Sequence, residues 1–246
     1  MTGTQARTAI VTGASGGIGA AIARRLAADG WAVLAHHGRG AEAAEALAAE
    51  IVAAGGRARA AGADLTAPGA APALFDAAEA AFGPVGLLVN NAGIMRLSPI
   101  AGATDADFDA QAAVNLAAVF RLMREGAARV ADGGRIVTLS SSVVGLWQPG
   151  YGIYAATKAA AEALTKVLAK ELGPRGITVN AVAPGPVATP LFLDGKPEAL
   201  VAAIAAANPR GRLGAPEDIA RAVAMLAGPD GDWISGQVIR ANGGVV

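Results

Sequence analysis

The sequence predicts an α/β fold: a single domain built on a doubly wound, Rossmann-type parallel sheet of about seven strands with helices on both faces. Three observations predict it. Short β-rich runs alternate with long Ala-rich runs along the 246 residues, as in strands joined by crossover helices. The strand runs are nearly all apolar instead of alternating, as expected when both faces of a sheet are covered. No linker-like change of composition and no internal repeat divides the chain, so 1–246 reads as one domain.

Taken in order, strands are predicted at 8–12, 32–35, 58–62, 86–90, 135–140, 178–183 and 237–240. Helices are predicted near 17–29, 41–54, 70–82, 105–131, 152–172, 197–207 and 216–227. The right-handed crossover rule then winds the sheet in two directions and places ligands at the carboxyl ends of its strands.

Composition excludes several classes of function. Lys plus Arg and Asp plus Glu both total 20, so nothing electrostatic points to nucleic acid or an anionic membrane as partner. There is no cysteine and only the adjacent pair His36 and His37, which rules out thiolate chemistry, disulfides and multi-histidine metal centres. Residues 1–10 carry no apolar signal core, and no apolar run reaches the roughly 18 residues of a membrane span. A cytoplasmic protein is the expectation. Hydrophobic residues make up 53% and charged residues 16%, apolar enough to predict that sister subunits cover part of the surface.

The first strand runs into Thr12-Gly13-Ala14-Ser15-Gly16-Gly17-Ile18-Gly19. Glycine at 13, 17 and 19 allows a tight turn, close approach of backbone to a pyrophosphate, and close packing of helix on strand. The next helix offers free N–H groups and the positive end of its dipole to that anion. A glycine-rich turn alone is a weak signal. Its place after a strand, before a long helix and at the start of the chain makes it a dinucleotide site.

Thr-Gly-xxx-Gly-Ile-Gly resembles the short-chain dehydrogenase/reductase family, and three further segments in the right order extend the resemblance over essentially the whole chain. Asp64-Leu65 follows the third strand, where the resemblance implies a contact to adenine. Asn90-Asn91-Ala92-Gly93 closes the fourth strand and resembles the family's sheet-stabilising motif. Pro184-Gly185-Pro186-Val187-Ala188-Thr189 follows the sixth, where the resemblance implies that backbone and Thr189 bind a nicotinamide carboxamide. The cofactor-binding set is therefore Gly13, Ser15, Gly16, Gly17, Ile18, Gly19, His37, Gly38, Arg39, Asp64, Leu65, Asn91, Ala92, Gly93, Tyr154, Lys158, Pro184, Gly185, Val187 and Thr189.

Tyr154 and Lys158 stand four residues apart, which on a helix puts phenol and ammonium on one face. A tyrosine with an ordinary pKa of about 10 transfers protons poorly near neutrality. A neighbouring Lys⁺ is expected to pull that pKa down. The phenol then protonates the oxygen of a carbonyl being reduced, or deprotonates an alcohol being oxidised. The resemblance implies that Lys158 also bonds the nicotinamide ribose. Tyr-x-x-x-Lys is common as surface decoration; the serine-ended strand before it and Pro184-Gly185 after it single this pair out. Tyr151 has Ala155 four residues on, and is assigned to the substrate pocket.

The run Ser140-Ser141-Ser142 offers the serine that would polarise the substrate carbonyl. The family's usual spacing from the tyrosine points to Ser141, while the following Val143-Val144-Gly145 points to Ser142. Both stay candidates, and Ser140 is read as satisfying backbone. Asn115 resembles the family's fourth catalytic position, whose backbone holds a water in a proton relay to the lysine. Without the resemblance it is a polar residue kinking a buried helix.

The end of the second strand reads Ala35-His36-His37-Gly38-Arg39, with no acidic residue before Glu42. An acid there would accept from a ribose hydroxyl and repel a 2′-phosphate. Arg39 grips a phosphate instead, with His37 as helper, so NADP(H) is expected ahead of NAD(H). Many NADP-using relatives carry a basic residue at the position of Gly16, which is a departure here.

Residues 190–208 are expected to form a lid over the substrate, and Ile94, Met95, Trp147, Tyr151, Leu191 and Phe192 a mostly apolar pocket. Overall the chain is most similar to 3-oxoacyl-[acyl-carrier-protein] reductases, which implies an acyl-carrier protein as a possible partner, met by Arg124, Arg129 and Arg175. The alternative is a reductase or dehydrogenase of free small ketones, sugars or secondary alcohols. A non-catalytic dinucleotide-binding protein would be expected to lack the tyrosine or the lysine. The C-terminal segments 211–219 and 235–238 resemble those that pack family members into a homotetramer, although the family's acidic residue before the last glycines is Asn242 here.

Overall fold

A computed structural model describes residues 7–246. Most of the N-terminal segment weighed above, residues 1–6, lies outside the described residues. Seven parallel strands form one sheet in the order β3-β2-β1-β4-β5-β6-β7. They are β1 (Thr8–Val11), β2 (Ala32–His37), β3 (Arg57–Gly62), β4 (Val85–Asn90), β5 (Arg135–Leu139), β6 (Thr178–Pro184) and β7 (Val238–Ala241).

Strand periodicity divides the core in two. Ala9 and Val11 of β1, Leu87 and Val89 of β4, and Val137 and Leu139 of β5 face one helix layer, where Ile22, Leu26, Leu47 and Val223 meet them. The residues between them, Ile10, Leu88 and Ile136, face the other layer with Leu74, Phe75, Leu122 and Leu168. The first layer comes from α1 (Gly17–Ala28), α2 (Ala41–Ala53) and α10 (Pro216–Ala227), and the second from α3 (Ala70–Phe82), α5 (Val119–Arg129) and α7 (Gly152–Leu172). This is why the strands read as unbroken apolar runs.

Strand order reverses between β1 and β4, so the chain leaves these two neighbours toward opposite sides of the sheet. A crevice opens at their carboxyl ends. The sequence correctly gives the doubly wound sheet and its strands.

Two elements differ from expectation. The helix expected over 105–131 is α4 (Asp105–Ala112), a π-helical segment (Ala113–Ala118) and α5. The segment 190–208 holds α8 (Pro190–Leu193), which was not predicted, before α9 (Glu198–Ala207), the helix expected near 197–207, and no residue of α9 is buried. The short helix α6 (Val143–Leu146) also went unpredicted. No helix among the described residues is long and apolar enough to cross a membrane.

Candidate active site

The crevice is a cleft of about 940 Å³ running from the glycine turn to α9. Its floor begins at the turn after β1. Gly13 has φ 65, and a Cβ there would stand 2.9 Å from Ala92 Cα. A Cβ on Gly19 would collide with Gly13 O and Asn91 Nδ2. Any larger residue at either place pushes turn, helix and β4 apart.

Polar bonds fasten the same junction. Thr12 Oγ1 accepts from the N–H groups of Asn91 (2.9 Å) and Ala92 (3.1 Å), and Asn91 Nδ2 donates to Thr12 O at 2.8 Å. His36 completes it: Gly13 N–H donates to Nδ1 at 3.1 Å, which leaves the proton on Nε2, 3.0 Å from Ala63 O. Burial lowers the His36 pKa, which keeps the ring neutral and suits this pairing.

The first turn of α1 has no side-chain cap. Gly16 is extended, with open space beside its Cα. Bare N–H groups and the positive end of a helix therefore face the cleft, which suits a phosphate. Arg39 lines the far wall, exposed and forming no ion pair among the described residues. Asp64, Leu65 and Thr66 line the wall beyond. Thr66 gives Asp64 Oδ1 two bonds, 2.9 Å from its N–H and 2.7 Å from its hydroxyl, which hold the carboxylate below its usual pKa range. These residues fit a dinucleotide carrying an extra phosphate.

At the other end stand the candidate catalytic groups. Tyr154 and Lys158, on the first turns of α7, are both buried. Lys158 Nζ donates to Leu139 O at 2.7 Å and lies 5.7 Å from the centre of the Tyr154 ring. Ser141 is the polar side chain that acts on the Tyr154 hydroxyl, while its own Oγ accepts from Val143 N–H at 3.3 Å. Burial pushes the phenol up to about 12, against the smaller opposing effect of Ser141. Burial alone pulls the Lys158 ammonium down to about 8. This corrects the expected depression of the tyrosine: burial dominates, and Lys158, 5.7 Å from the ring centre, is not among the groups that shift it.

Of the three serines, the structure brings only Ser141 to the phenol. Ser140 Oγ donates to Glu162 at 2.6 Å. Ser142 is buried with its hydroxyl turned to Ala183 O (3.2 Å) and Asn242 Nδ2 (2.9 Å), so it has no hydrogen left for a substrate. Asn115 sits in the π-helical segment, where Oδ1 accepts from Ile94 N–H (2.9 Å) and Nδ2 donates to Ile94 O (2.8 Å). That pairing holds the strand-end loop of Gly93 to Met95. Lys158 is close by: a Cβ on Gly93 would lie 3.3 Å from Asn115 Oδ1 and 3.5 Å from Lys158 Nζ.

Most of the remaining expected residues line the cleft: Ser15, Gly17, Ile18, Gly38, Asn91, Pro184, Gly185, Val187, Thr189, Ile94, Met95, Tyr151, Leu191 and Phe192. Two do not. The His37 ring packs against Gly62 of the neighbouring strand, off the cleft wall. Trp147 ends α6 in the left-handed region with φ 53 and is 72% exposed, while its neighbours Leu146 and Gln148 line the cleft instead.

Residues missed by sequence reasoning are His36, Thr66, Gln148, Ile204, Asn208 and Val245. Thr66 carried a signal, since a hydroxyl two residues after an aspartate makes a local turn. Ile204 and Asn208 fall in the segment 190–208 expected to cover the substrate but were not singled out, and Val245 carried no signal, because only the folded chain brings it to the cleft.

The family described as Enoyl-(Acyl carrier protein) reductase matches residues 13–246. A short-chain type dehydrogenase/reductase of Picea abies is 46% identical, over 98% of this chain and 92% of that protein. An NADPH-dependent aldehyde reductase-like protein, chloroplastic, of Arabidopsis thaliana is 45% identical, over 98% and 94%. Among solved structures, a short chain dehydrogenase from Burkholderia cenocepacia J2315 in complex with NADP superposes with a TM-score of 0.90 at 41% identity, covering 98% of each chain.

Proposed function

Because the chain belongs to the short-chain dehydrogenase/reductase family, we propose that it is an NADP(H)-dependent oxidoreductase that reduces a free, uncharged aldehyde or ketone. The observation that carries this reading is the Tyr154 phenol, sharing the cleft wall with Ser141 and one helical turn from Lys158, at the far end from the glycine turn.

Gly13 to Gly19 would hold the pyrophosphate, Arg39 the 2′-phosphate, Asp64 and Leu65 the adenine side, and Val187 and Thr189 the nicotinamide side. When bound, the reduced nicotinamide supplies a hydride to the carbonyl carbon. The residues handle the oxygen. Ser141 donates a hydrogen bond to it, and Tyr154, kept protonated at neutral pH by burial, delivers the proton as negative charge develops. Lys158 holds a positive charge beside the phenol and so stabilises the phenolate left behind. Asn115 keeps the loop beside Lys158 in register through Ile94.

The substrate class follows from the walls. Arg39, Asp64 and Lys158 are the only Lys, Arg, Asp or Glu residues lining the cleft among those described, and Arg39 and Asp64 lie on the cofactor side. Ile94, Met95, Leu146, Tyr151, Phe192, Ile204 and Val245 surround the substrate end. A carboxylate or phosphate there would be buried without a partner, so neutral carbonyl compounds are favoured.

Two of the three arginines considered for a carrier protein are otherwise engaged, while Arg124 lies over the Phe120 ring at 5.7 Å. Arg129 pairs with Asp76 (2.8 Å), Glu79 (2.6 Å) and Glu125 (3.2 Å), and Arg175 pairs with Asp132 (2.7 Å). Both adjoin the start of β5, at the end of the sheet away from the cleft.

The test is NADPH consumption with simple aldehydes and ketones beside 3-oxoacyl thioesters. Turnover of the free carbonyls, lowered by about 10³ in Tyr154→Phe, is expected. Thioester turnover alone would restore the carrier-protein reading, and full activity in Tyr154→Phe would overturn the mechanism. For the cofactor, NADPH should exceed NADH by about tenfold in kcat/KM, and Arg39→Asp should reverse the order. Equal use of both would remove Arg39 from the site.

Self-association belongs to the same reading. Leu116, Ala117 and Phe120 on one helix and Ala160, Ala163, Leu164 and Val167 on α7 form an apolar hollow on the molecule's flank. Phe120 and Val167 are about half exposed there. A second copy of the chain is the proposed cover, within the homotetramer implied by the family resemblance.

A further inference from the structure

We propose that Asn242 is a positioning residue that ties the root of the lid to the loop carrying Ser141. The proposal rests on the reading of the cleft as a carbonyl-reduction site.

Asn242 directly follows β7 and is buried. Its Nδ2 gives one hydrogen to Ser142 Oγ at 2.9 Å and the other to Val246 O at 3.1 Å. Val246 O can only accept, and Ser142 Oγ accepts here because its single hydrogen is directed to Ala183 O. Asn242 Oδ1 in turn accepts from Gly244 N–H at 2.9 Å. All the hydrogen-bonding groups of this amide are thus in use in the sense that only an amide supplies.

The other end of the connection is Asn208, which terminates α9 and lines the cleft. Its Nδ2 donates to Asn242 O at 3.0 Å, and its Oδ1 accepts from Arg210 N–H at 2.8 Å. The joint has no slack. A Cβ on Gly185 would lie 2.9 Å from Asn242 Cβ, and a Cβ on Gly243, where φ is 73, would lie 2.6 Å from Asn208 Oδ1. On the catalytic side, Ser142 N–H is fixed to Pro184 O at 2.8 Å, and Ser141 is its covalent neighbour. A displacement at the end of α9 therefore reaches Ser141 through two hydrogen bonds and one peptide unit.

The chemistry also accounts for the departure from the resemblance, in which an acid stands at this position. An ionised carboxylate would have no hydrogen for Val246 O, and could bond Ser142 Oγ only by drawing its hydrogen away from Ala183 O. Protonated, it could donate to one of Val246 O and Ser142 Oγ. Asn242→Asp therefore makes the tie depend on pH.

The experiment compares wild type with Asn242→Asp in two readouts: the pH profile of kcat, and amide hydrogen exchange of residues 141–146 and 204–211. The expected loss in kcat is about tenfold near pH 8, shrinking toward pH 5.5 as the carboxyl protonates, while KM for NADPH stays within about twofold. Exchange should quicken in both segments together at the higher pH. A deficit that ignores pH, or faster exchange in one segment alone, overturns the proposal. Should Asn242→Asp not fold, Ser142→Ala removes the acceptor on the catalytic side. Ser142 makes no bond to Asn208, so faster exchange at 204–211 in that variant requires transmission through Asn242, and unchanged exchange there overturns the tie. A wild type that reduces no carbonyl would instead sink the proposed function, with the exchange readout still deciding the tie.

Discussion

Lys158 holds a charge in a buried position, and that has a cost independent of catalysis. Its ordinary pKa of 10.5 falls to about 8 in the folded chain through burial. Between these values the unfolded chain binds a proton that the folded chain has released, so stability rises with pH across that window. Below about pH 8 the folded state carries the full penalty, about 3 kcal/mol. Lys158→Met should therefore be more stable than wild type in urea at pH 7, with the gap closing toward pH 10.5, while reduction is lost. A variant less stable at pH 7 would show that the bond to Leu139 O outweighs the burial. At this scale the sequence was informative about residue types and spacing. The tyrosine, lysine and glycine turn were legible because a four-residue interval and a strand–turn–helix context are local. The choice between Ser141 and Ser142 was not. It depends on a partner, Asn242, a hundred positions further along the chain. The direction of the tyrosine shift was missed for a similar reason, since burial is a property of the assembled fold.

The segment 113–118 belongs to the scale of elements. Its π-helical turn lies between two α-helical pieces that, read by periodicity alone, form one helix over 105–131. A wide turn shifts the phase of every later side chain and frees backbone groups, and such turns gather at functional sites. Here it coincides with Asn115, whose two bonds to Ile94 secure the loop beside Lys158. Asn115→Ala leaves the half-buried N–H and C=O of Ile94 without their side-chain partners. The expected loss is about 2–4 kcal/mol, seen as a lower urea midpoint, together with reduced kcat. A change under about 0.5 kcal/mol would mean that water replaces the amide. Strands and long helices were legible because each repeats one pattern over many residues. The π turn and the four-residue helices α6 and α8 were not, since a few residues at variance with the pattern look like noise in a sequence.

At the scale of the whole molecule, the two ends of the sheet differ in role. The carboxyl ends hold the cleft, while the amino ends hold the ion pairs of Arg129, Arg175 and the buried Arg135 with Asp232 (2.8 Å). The flank formed by α5, α7 and the π turn carries the apolar hollow. Phe120→Glu or Val167→Glu is expected to shift the molecular mass by light scattering from tetramer to smaller species. A wild-type monomer at micromolar concentration would remove the self-association proposal. The apolar composition raised the expectation of a covered surface but gave it no place, since the hollow exists only once the helices dock on the sheet.

Helix α7 links these scales. One side of it buries Tyr154 and Lys158, and another shows Ala160, Ala163, Leu164 and Val167 to the flank. A neighbouring subunit seated there would act as a splint on the rod that aims the phenol. Dilution then becomes a chemical variable: specific activity should fall as subunits part, with a lag on reconcentration set by their re-encounter.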